Sequence, residues 1–317
     1  MGINRLTSRA VIGEFYKTLA QDTGAAWIQD VSNYFPSDQA LEEYAWLGMV
    51  PALREWIGGR NAKGFRENGL EIKNKHFEAT IDILLRWMRR DKSGQAMVRI
   101  RELARRTNAH WASLLSTLIV NGASTVCYDG QYFFDTGHTE GDSGTQSNSI
   151  TVDISELPVS VNGSTTAPSV EEMQLAIAEA IAQIVSFVDD QGEPMNEDAN
   201  GFLVMVPVSL MNVAAQAVAT PIQVDASQTA LTALKQDFQV RSVANARLSS
   251  WTANFGVFRT DSEVKALIRQ EETEVDLKVK AEGSEYEFDN DAHQYGVDTW
   301  RNVGYGYWQN ACLVTLG

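Results

Sequence analysis

The stretch 58–84 constrains the fold of this chain most, because its tip lacks the apolar residues needed to bury it on its own subunit. The turn pair Asn68-Gly69 divides it into two segments, and the second alternates polar and apolar residues as a β-strand does. Its apolar positions are Leu70, Ile72, Phe77, Ala79, Ile81 and Ile83. The tip is rich in lysine and arginine, and an isolated hairpin is marginally stable at best. We predict a long hairpin with few contacts in its own subunit that lies across another molecule.

Two segments have the apolar periodicity of helices. The first, 94–121, places apolar residues near one face and is followed by the stop signal Gly122. At 1.5 Å per residue such a helix is about 40 Å long. The second, 169–188, begins with Ser169 and Glu172, which form a capping box, and continues as an apolar stripe.

The other segments complete a chain of mixed helices and strands. The opening 40 residues join a short amphipathic pattern to a polar, turn-rich run, which is typical of an extended arm. The longest apolar stretch, 201–219, contains Pro207, so we predict a buried strand that leads into a helix and not a membrane span. The last stretch, 266–317, alternates polar and apolar residues between turn signals and is predicted to be all-β.

Composition excludes several classes of protein. The chain has 317 residues, which corresponds to roughly two domains, and a net charge of −15. A chain this acidic is not expected to bind nucleic acid or an anionic membrane with its whole surface. A local basic patch is still compatible with such binding. Its cysteines are Cys127 and Cys312, too few for a disulfide framework. We expect a protein made in a reducing cytoplasm, with no membrane partner.

Catalytic motifs are missing from the sequence, which has no phosphate-binding glycine loop, no His-Glu-x-x-His and no Gly-x-Ser-x-Gly. The best candidate metal ligands are in one polar loop and comprise Asp129, Asp135, His138, Glu140 and Asp142. A solvated acidic loop explains the same residues and is the favoured interpretation. We therefore predict no enzyme, no cofactor and no metal.

Cysteine and histidine chemistry gives one further candidate. Cys127 paired with His110 or His138 would supply a thiol nucleophile and its base. The favoured interpretation is that Cys127 is a small, buried apolar residue. His76 and His293 stand apart from other candidate residues, and we expect both on the surface.

Charge is segregated along the chain. The window 86–106 holds eight bases and two acids, and the window 261–291 holds eleven acids and four bases. Both runs fit solvated faces, where a single ion pair contributes only about 0–1 kcal/mol. They also fit basic and acidic surfaces that meet between copies of the chain. The hairpin's need for an outside partner favours this second interpretation.

Four sequence blocks together resemble the major head subunit of Mu-type phages and prophages, the gpT family. They are EYAWLGMVPALREWIGGR, LEIKNKHFEATI, CYDGQYFFDTGH and GYGYWQNA, and they extend from about Glu43 to the C-terminus. The resemblance implies an α+β chain with the HK97-like major capsid fold. That fold has an N-terminal arm, a hairpin called the E-loop, a peripheral domain with a long spine helix, and an axial domain.

The resemblance also implies a division of the chain and a set of contact residues. The N-terminal arm is 1–43, the E-loop region 44–86, the peripheral domain 87–149 with 261–317, and the axial domain 150–260. The E-loop bases expected to contact another subunit, opposite its acidic window 261–291, are Arg60, Lys63, Arg66, Lys73 and Lys75. The spine-helix bases expected to face the lumen are Arg99, Arg101, Arg105 and Arg106.

The function implied by the resemblance is that of a major capsid protein. It assembles into hexamers and pentamers that form an icosahedral shell around packaged phage DNA. The expected partners are further copies of the chain, a scaffolding protein, the portal, a decoration protein and, through weak sequence-independent contacts, double-stranded DNA. The expected location is the virion capsid, after assembly in the cytoplasm of the bacterial host. Two alternatives stay open: a shell of the same fold around a protein cargo, and a metal-dependent hydrolase that uses Asp129, Asp135 and His138.

Overall fold

The computed structural model describes residues 7–22, 24–44, 70–90, 94–219, 223–224, 227–228 and 238–317. The helices are α1 (Ser8–Gln21), α2 (Trp27–Val31), α3 (Leu85–Arg90), α4 (Gln95–Val120), α5 (Val170–Val185), α6 (Met211–Ala219) and α7 (Glu285–Asn290). None of these helices combines the length and the apolar character that crossing a membrane requires.

The strands form two larger sheets and three two-stranded ones in the same ranges. The strands are β1 (Ser32–Pro36), β2 (Leu41–Tyr44), β3 (Leu70–Lys73), β4 (Lys75–Leu84), β5 (His138–Thr139), β6 (Thr145–Gln146), β7 (Ser149–Val152), β8 (Gly201–Val206), β9 (Gln223–Val224), β10 (Ser227–Gln228), β11 (Gln239–Ala244), β12 (Asn254–Arg259), β13 (Leu267–Lys280), β14 (Ala292–Tyr305) and β15 (Ala311–Leu316).

The first sheet has the strand order β1-β13-β14-β4 and is built on the long hairpin of β13 and β14. Strand β1 pairs with β13 in parallel, and β4 pairs with β14 in the antiparallel direction. Successive residues of a strand face opposite sides of the sheet. One side, which includes Leu277, Tyr295 and Val297, is buried in a core shared with α1 and α4.

Strand β4 corrects the prediction that the hairpin has few contacts in its own subunit. It pairs with β14 along its whole length, from Lys75 opposite Arg301 to Leu84 opposite Ala292. The predicted alternation is present, since Ile83 is buried while its neighbours in sequence are not. The tip, 58–69, lies outside the described residues, so the prediction stands untested there.

Helix α1 and strand β1 correct the prediction of an extended N-terminal arm. Val11 and Phe15 of α1 have no exposed surface and belong to the same core as the first sheet. Thr7 caps α1 by accepting a hydrogen bond from the Ala10 amide. The amphipathic pattern was visible in the sequence, but a pattern shows that a face is apolar and not which surface it packs on.

The second sheet has the order β11-β8-β12-β15-β7, and α5 and α6 pack on it. The predicted strand in the longest apolar stretch is confirmed as β8, of which 202–206 is fully buried. Pro207 follows it and leads through a short 3-10 turn into α6. The predicted long helix is confirmed as α4, and the predicted capping box of Ser169 and Glu172 begins α5.

The last strand corrects the predicted division of the chain. The segment 261–317 was assigned to the peripheral domain as one unit. Strand β15 instead lies between β12 and β7, in the middle of the second sheet. The block 266–317 is also not entirely β, because α7 joins β13 to β14. Alternation identifies strands but does not assign them to a sheet.

We predict that Phe15→Ala lowers the free energy of unfolding by about 3–5 kcal/mol, because it removes a fully buried aromatic ring from the core under the first sheet. Chemical denaturation of the full chain measures this change. The control is Lys17→Ala on the exposed face of α1, with an expected change below about 0.5 kcal/mol. An effect of Phe15→Ala as small as that of the control contradicts the docking of α1.

Candidate functional site

Two chain connections run side by side where the two sheets meet, and we call the residues 261–266 and 306–310 the junction. The first leads from β12 to β13 and the second from β14 to β15. The Gly306 amide donates to the Ala266 carbonyl at 2.8 Å. The Asn310 side-chain amide donates to the Val264 carbonyl at 2.7 Å. Both crossings between the sheets are therefore tied to each other.

Gly306 is required by the close approach of the two connections. A Cβ atom at this position would lie 2.3 Å from the carbonyl oxygen of Lys265, which is closer than Cβ contacts occur. The obstacle is backbone, so it cannot rotate away as a side chain does. Glycine is therefore the residue that lets β14 continue past Lys265 towards β15.

The loop 127–138 packs directly on the junction. The His138 ring stacks on the Trp308 ring with 4.0 Å between centroids and 10° between planes. The Tyr128 hydroxyl donates to Gln309 Oε1 at 3.1 Å. The sequence blocks CYDGQYFFDTGH and GYGYWQNA, which were singled out separately, therefore form one packed unit.

Both ring nitrogens of His138 lie within hydrogen-bond distance of a side-chain oxygen. Its Nδ1 lies 2.6 Å from Asp129 Oδ2, and its Nε2 lies 3.2 Å from Asn148 Oδ1. The Asn148 side-chain nitrogen already donates to the carbonyls of Phe133 and Trp308, which fixes its oxygen towards His138. The His138 ring is therefore held between the Asp129 carboxylate and the Asn148 amide oxygen.

Asp129 collects donors that keep it ionised. Burial alone raises the pKa of a carboxyl, but hydrogen bonds from His138, from the Cys127 thiol and from the Gln131 amide outweigh burial and lower the pKa of Asp129. The Cys127 Sγ lies 3.0 Å from Asp129 Oδ1. Burial, and next the nearby Asp129 charge, raise the pKa of the Cys127 thiol. Cys127 is thus a protonated donor, in contrast to the reactive thiolate that nucleophilic chemistry needs.

The predicted metal ligands are only partly brought together. Cys127, Asp129 and His138 place one ligand atom each within 4.8 Å of the others, and all three are engaged with one another or with Asn148. Asp135 is not in this group, and its Oδ1 accepts from the Gly137 amide. These hydrogen bonds give the loop a structural explanation, in which charged and polar side chains hold it against Trp308.

Glu140 lies beside this cluster in an unfavourable environment for a charge. Burial raises the pKa of Glu140 to about 7; the Tyr128 hydroxyl opposes this effect, and the nearby Asp129 and Asp190 carboxylates add to it. Its Oε1 is buried without a hydrogen-bond partner among the described residues. Ionised Glu140 therefore costs stability at neutral pH and above.

The remaining histidines differ from one another. His293 is 2% exposed and lies 3.3 Å from Glu287, so the prediction that it is on the surface was wrong. His76 is exposed as predicted, stacks on Trp300 and contacts Asp298. Burial, and next two nearby arginines, lower the pKa of His110 to about 4, so this ring is neutral.

The predicted contact bases of the hairpin are described only in part. Arg60, Lys63 and Arg66 lie outside the described residues. Lys73 and Lys75 are exposed on either side of the buried Asn74, where β3 passes into β4. These two lysines point to solvent in the subunit and are available to another molecule.

The four predicted lumen-facing bases of α4 fall into two pairs. Arg101 forms an ion pair with Glu14 of α1 at 2.9 Å, and Arg106 forms one with Glu102 at 2.8 Å. Arg99 and Arg105 are exposed and form no ion pair with another described residue. Arg101 therefore helps to dock α1, while Arg99 and Arg105 are available for outside partners.

The uncovered face of the first sheet is acidic. Cross-strand neighbours on this face include the acids Glu78, Asp82, Asp276 and Asp298. Asp298 is bonded to Lys278 and His76. Other acids of the window 261–291 are used inside the chain, since Asp261 binds Arg259 at 2.9 Å. The acidic window is thus split between internal ion pairs and this outer face.

The sequence interpretation missed Asn148 and Trp308 as partners of His138. Asn148 is fully buried, although asparagine is usually exposed, and its contact with Trp308 joins residues 160 positions apart. No spacing rule relates residues so distant in sequence. The aromatic content of GYGYWQNA was the one signal that could have indicated a packed site.

The arrangement of the two sheets and the long helix defines a class of fold, which is found in capsid chains of known structure. The chain is similar to one from the procapsid of bacteriophage JBD30, with a TM-score of 0.53, 98% of this chain and 76% of that chain covered, and 23% sequence identity. It is also similar to one from the mature capsid of bacteriophage PhiM1, with a TM-score of 0.53, 93% and 89% covered, and 12% identity. These likenesses confirm the predicted HK97-like fold.

The sequence comparison assigns the family. The profile described as Mu-like prophage major head subunit gpT matches residues 6–158 and 228–315, which together include well over half of the chain. The chain therefore belongs to the gpT family of Mu-like prophage major head subunits, as the four sequence blocks indicated. The matched residues contain both the loop 127–138 and the junction.

Two relatives show how far the sequence similarity extends. The chain is 36% identical over 112 residues to the Mu-like prophage FluMu major head subunit of Haemophilus influenzae (strain ATCC 51907 / DSM 11121 / KW20 / Rd), covering 35% of this chain and 36% of the relative. It is 36% identical over 95 residues to the major capsid protein of Escherichia phage Mu, covering 30% and 31%. The matched stretch thus spans about a third of the length of each relative.

We predict that Gly306→Ala lowers the free energy of unfolding by about 1–3 kcal/mol, because the new methyl group meets the Lys265 carbonyl. Thermal and chemical denaturation measure the loss. The matched control is Gly13→Ala in α1, where a Cβ has open space and the helix gains up to about 1 kcal/mol. Equal behaviour of the two variants would show that the junction is not tightly packed.

We predict that Glu140→Gln stabilises the protein at pH 8. The folded-state pKa of Glu140 is raised to about 7, so its favourable neutral form is fully present below the unfolded pKa and is lost as the pH rises through 7. The amide keeps the shape without the charge, and the expected gain at pH 8 is on the order of 1–3 kcal/mol. Melting curves from pH 4 to pH 8 should converge at the acid end. A constant difference across this range would contradict the assignment.

Proposed function

We propose that this chain is the major capsid subunit of a Mu-like phage or prophage and assembles into hexamers and pentamers of an icosahedral shell. The observation that carries the proposal is the family match, which includes the first sheet, the junction and the second sheet apart from β8 and the last residue of β15. The capsid chains of similar fold add support. The family favours a shell around packaged DNA over a shell for protein cargo or a hydrolase.

Further partners belong to the same proposal. A scaffolding protein, the portal and a decoration protein act on the shell, which forms in the cytoplasm of the bacterial host and becomes the virion capsid. The exposed bases Arg99 and Arg105 support a weak, sequence-independent contact with DNA or with the scaffold. Arg101 and Arg106, already paired within the subunit, contribute less to this contact.

The hairpin bases supply one contact between copies. Lys73 and Lys75 are exposed at the base of the hairpin, and the acidic outer face of the first sheet offers carboxylates of the opposite sign. We propose that the bases of one copy lie against the acids around Asp276 of another. Each pair is weak, and the charges mainly fix orientation and register.

Purified chain examined by negative-stain microscopy and sedimentation tests the function itself. The expected result is closed polyhedral shells, formed alone or with its scaffold. A chain that stays monomeric under both conditions contradicts the proposed function.

Charge reversal tests the contact. We predict that Lys73→Glu with Lys75→Glu reduces shell yield at low salt at least several-fold, because like charges then face each other. Adding Asp276→Lys with Glu78→Lys should partly restore the yield. The control is Lys17→Glu, an exposed lysine on α1. Normal yield from the lysine reversal, with shells from the parent chain, contradicts this pairing but not the function.

A further inference from the structure

An open groove runs between strand β4 and helices α3 and α4. Strand β4 is at the edge of the first sheet, and α4 covers the middle strands more fully than this edge. The groove has a volume of about 810 Å³ and is lined by the apolar residues Ile81, Ile83 and Leu103 and by Trp87. Trp87 is 57% exposed, so a large aromatic surface is uncovered in the subunit.

A protruding aromatic side chain lies at the tip of the β13–β14 hairpin. Phe288 of α7 is 90% exposed, the highest value among the large hydrophobic residues that the structure describes as exposed. Helix α7 is capped at both ends. Ser284 caps its N-terminus by accepting a hydrogen bond from the Glu287 amide, and Asp291 ends the helix in the left-handed conformation. Phe288 is thus presented on ordered backbone and not on a loose loop.

In the described part of one subunit, the groove stays open and Phe288 stays exposed. On the other side of α7, Tyr286 donates to Asp82 of β4, which holds the helix to its own sheet. Phe288 consequently turns away from the subunit. Phe288 and the groove lie at different places on one surface, so Phe288 fills a groove only when that groove belongs to another copy. Such a contact is heterologous, the kind that builds rings and closed shells.

The charges of the two surfaces are complementary. The segment 285–291 carries four acids and no base. The charged residues that line the groove are Asp82, Arg99, Glu102 and Arg106. Arg106 pairs with Glu102 and Asp82 accepts from Tyr286, whereas Arg99 has no ion pair with another described residue. An acidic helix with a central aromatic ring therefore matches the apolar lining of the groove and the charge of Arg99.

We propose that Phe288 of one copy inserts into the groove beside Trp87 of a neighbouring copy, with the acids of α7 facing Arg99. This contact rests on the proposed function, since it requires copies assembled in a shell. It is separate from the lysine contact, because it uses neither Lys73 and Lys75 nor Asp276. A buried aromatic anchor surrounded by opposite charges is the arrangement that dominates binding at many interfaces.

Removal of the anchor is the first test. Phe288→Ala changes a side chain with almost no contacts in the subunit, so the melting temperature of unassembled protein should stay as in the parent. The yield of closed shells should fall at least tenfold. The matched control is Val161→Ala, another exposed apolar residue, 63% exposed, which should assemble normally. Shell yield from Phe288→Ala equal to that of the parent overturns the proposal.

Disulfide trapping is the second test and identifies the occupant. Phe288→Cys and Arg99→Cys in one chain should give a ladder of covalent oligomers after oxidation of assembled shells, because both native cysteines are buried. Phe288→Cys with Val161→Cys is the control without a ladder. A ladder absent from intact shells, or a crosslink from Arg99→Cys to the scaffold or to another segment of the chain, overturns the proposal. If the parent chain forms no shells at all, the proposed function fails first.

Discussion

The stacking of His138 on Trp308 stabilises the junction, and the arrangement of the rest of the subunit depends on the junction. The first sheet and the second sheet are covalently linked at the junction by two adjacent connections. Trp308 has no exposed surface, and His138 covers one face of its ring while Phe187 meets it at an angle of 77°. The same cluster holds the connection 306–310 through the Asn148 amide, which bonds to the carbonyl of Trp308 as well as to His138, and this connection is bonded in turn to 261–266. The relative position of the two sheets is therefore set by one aromatic and polar cluster.

A buried polar group at the junction is costly unless it is hydrogen-bonded, and most groups of the cluster are. A buried carboxylate without donors would be strongly destabilising, but Asp129 lies within hydrogen-bond distance of His138 and of the Cys127 thiol. Amide side chains serve the irregular backbone, as Asn196 does by donating to the carbonyls of Ile184 and Gln309. Directional bonds of this kind specify one arrangement, whereas apolar contacts alone permit small shifts. Glu140 Oε1, Trp308 Nε1 and Asn310 Oδ1 are exceptions, since each is buried without a hydrogen-bond partner among the described residues. Their cost shows that the site was not arranged for stability alone.

Local patterns predicted the elements whose partners are close in sequence. The span of α4, the capping box of α5 and the buried strand β8 depend on residues within a few positions of one another, and all three are present. The errors concern partners. Phe15 showed an apolar face without showing the core that covers it, and nothing near His293 in sequence showed that it lies opposite the buried Ile83 of β4. The site followed the same rule: Asp129 and His138 were found in one loop, but Trp308 and Asn148 were not connected to them.

The surfaces that the subunit leaves unsatisfied follow from how its cores are built. Helix α4 is shared between the two sheets and packs along its apolar face, so its arginines are turned outward and the edge strand β4 is only partly covered. Filling that edge within the subunit would remove the groove, while exposing it in a free monomer risks uncontrolled pairing. Opposite charges and an aromatic group on the same surface restrict which neighbour can fill it. In the proposed shell each contact is weak in isolation, so a misplaced copy would dissociate, whereas a copy that makes several contacts at once would be retained.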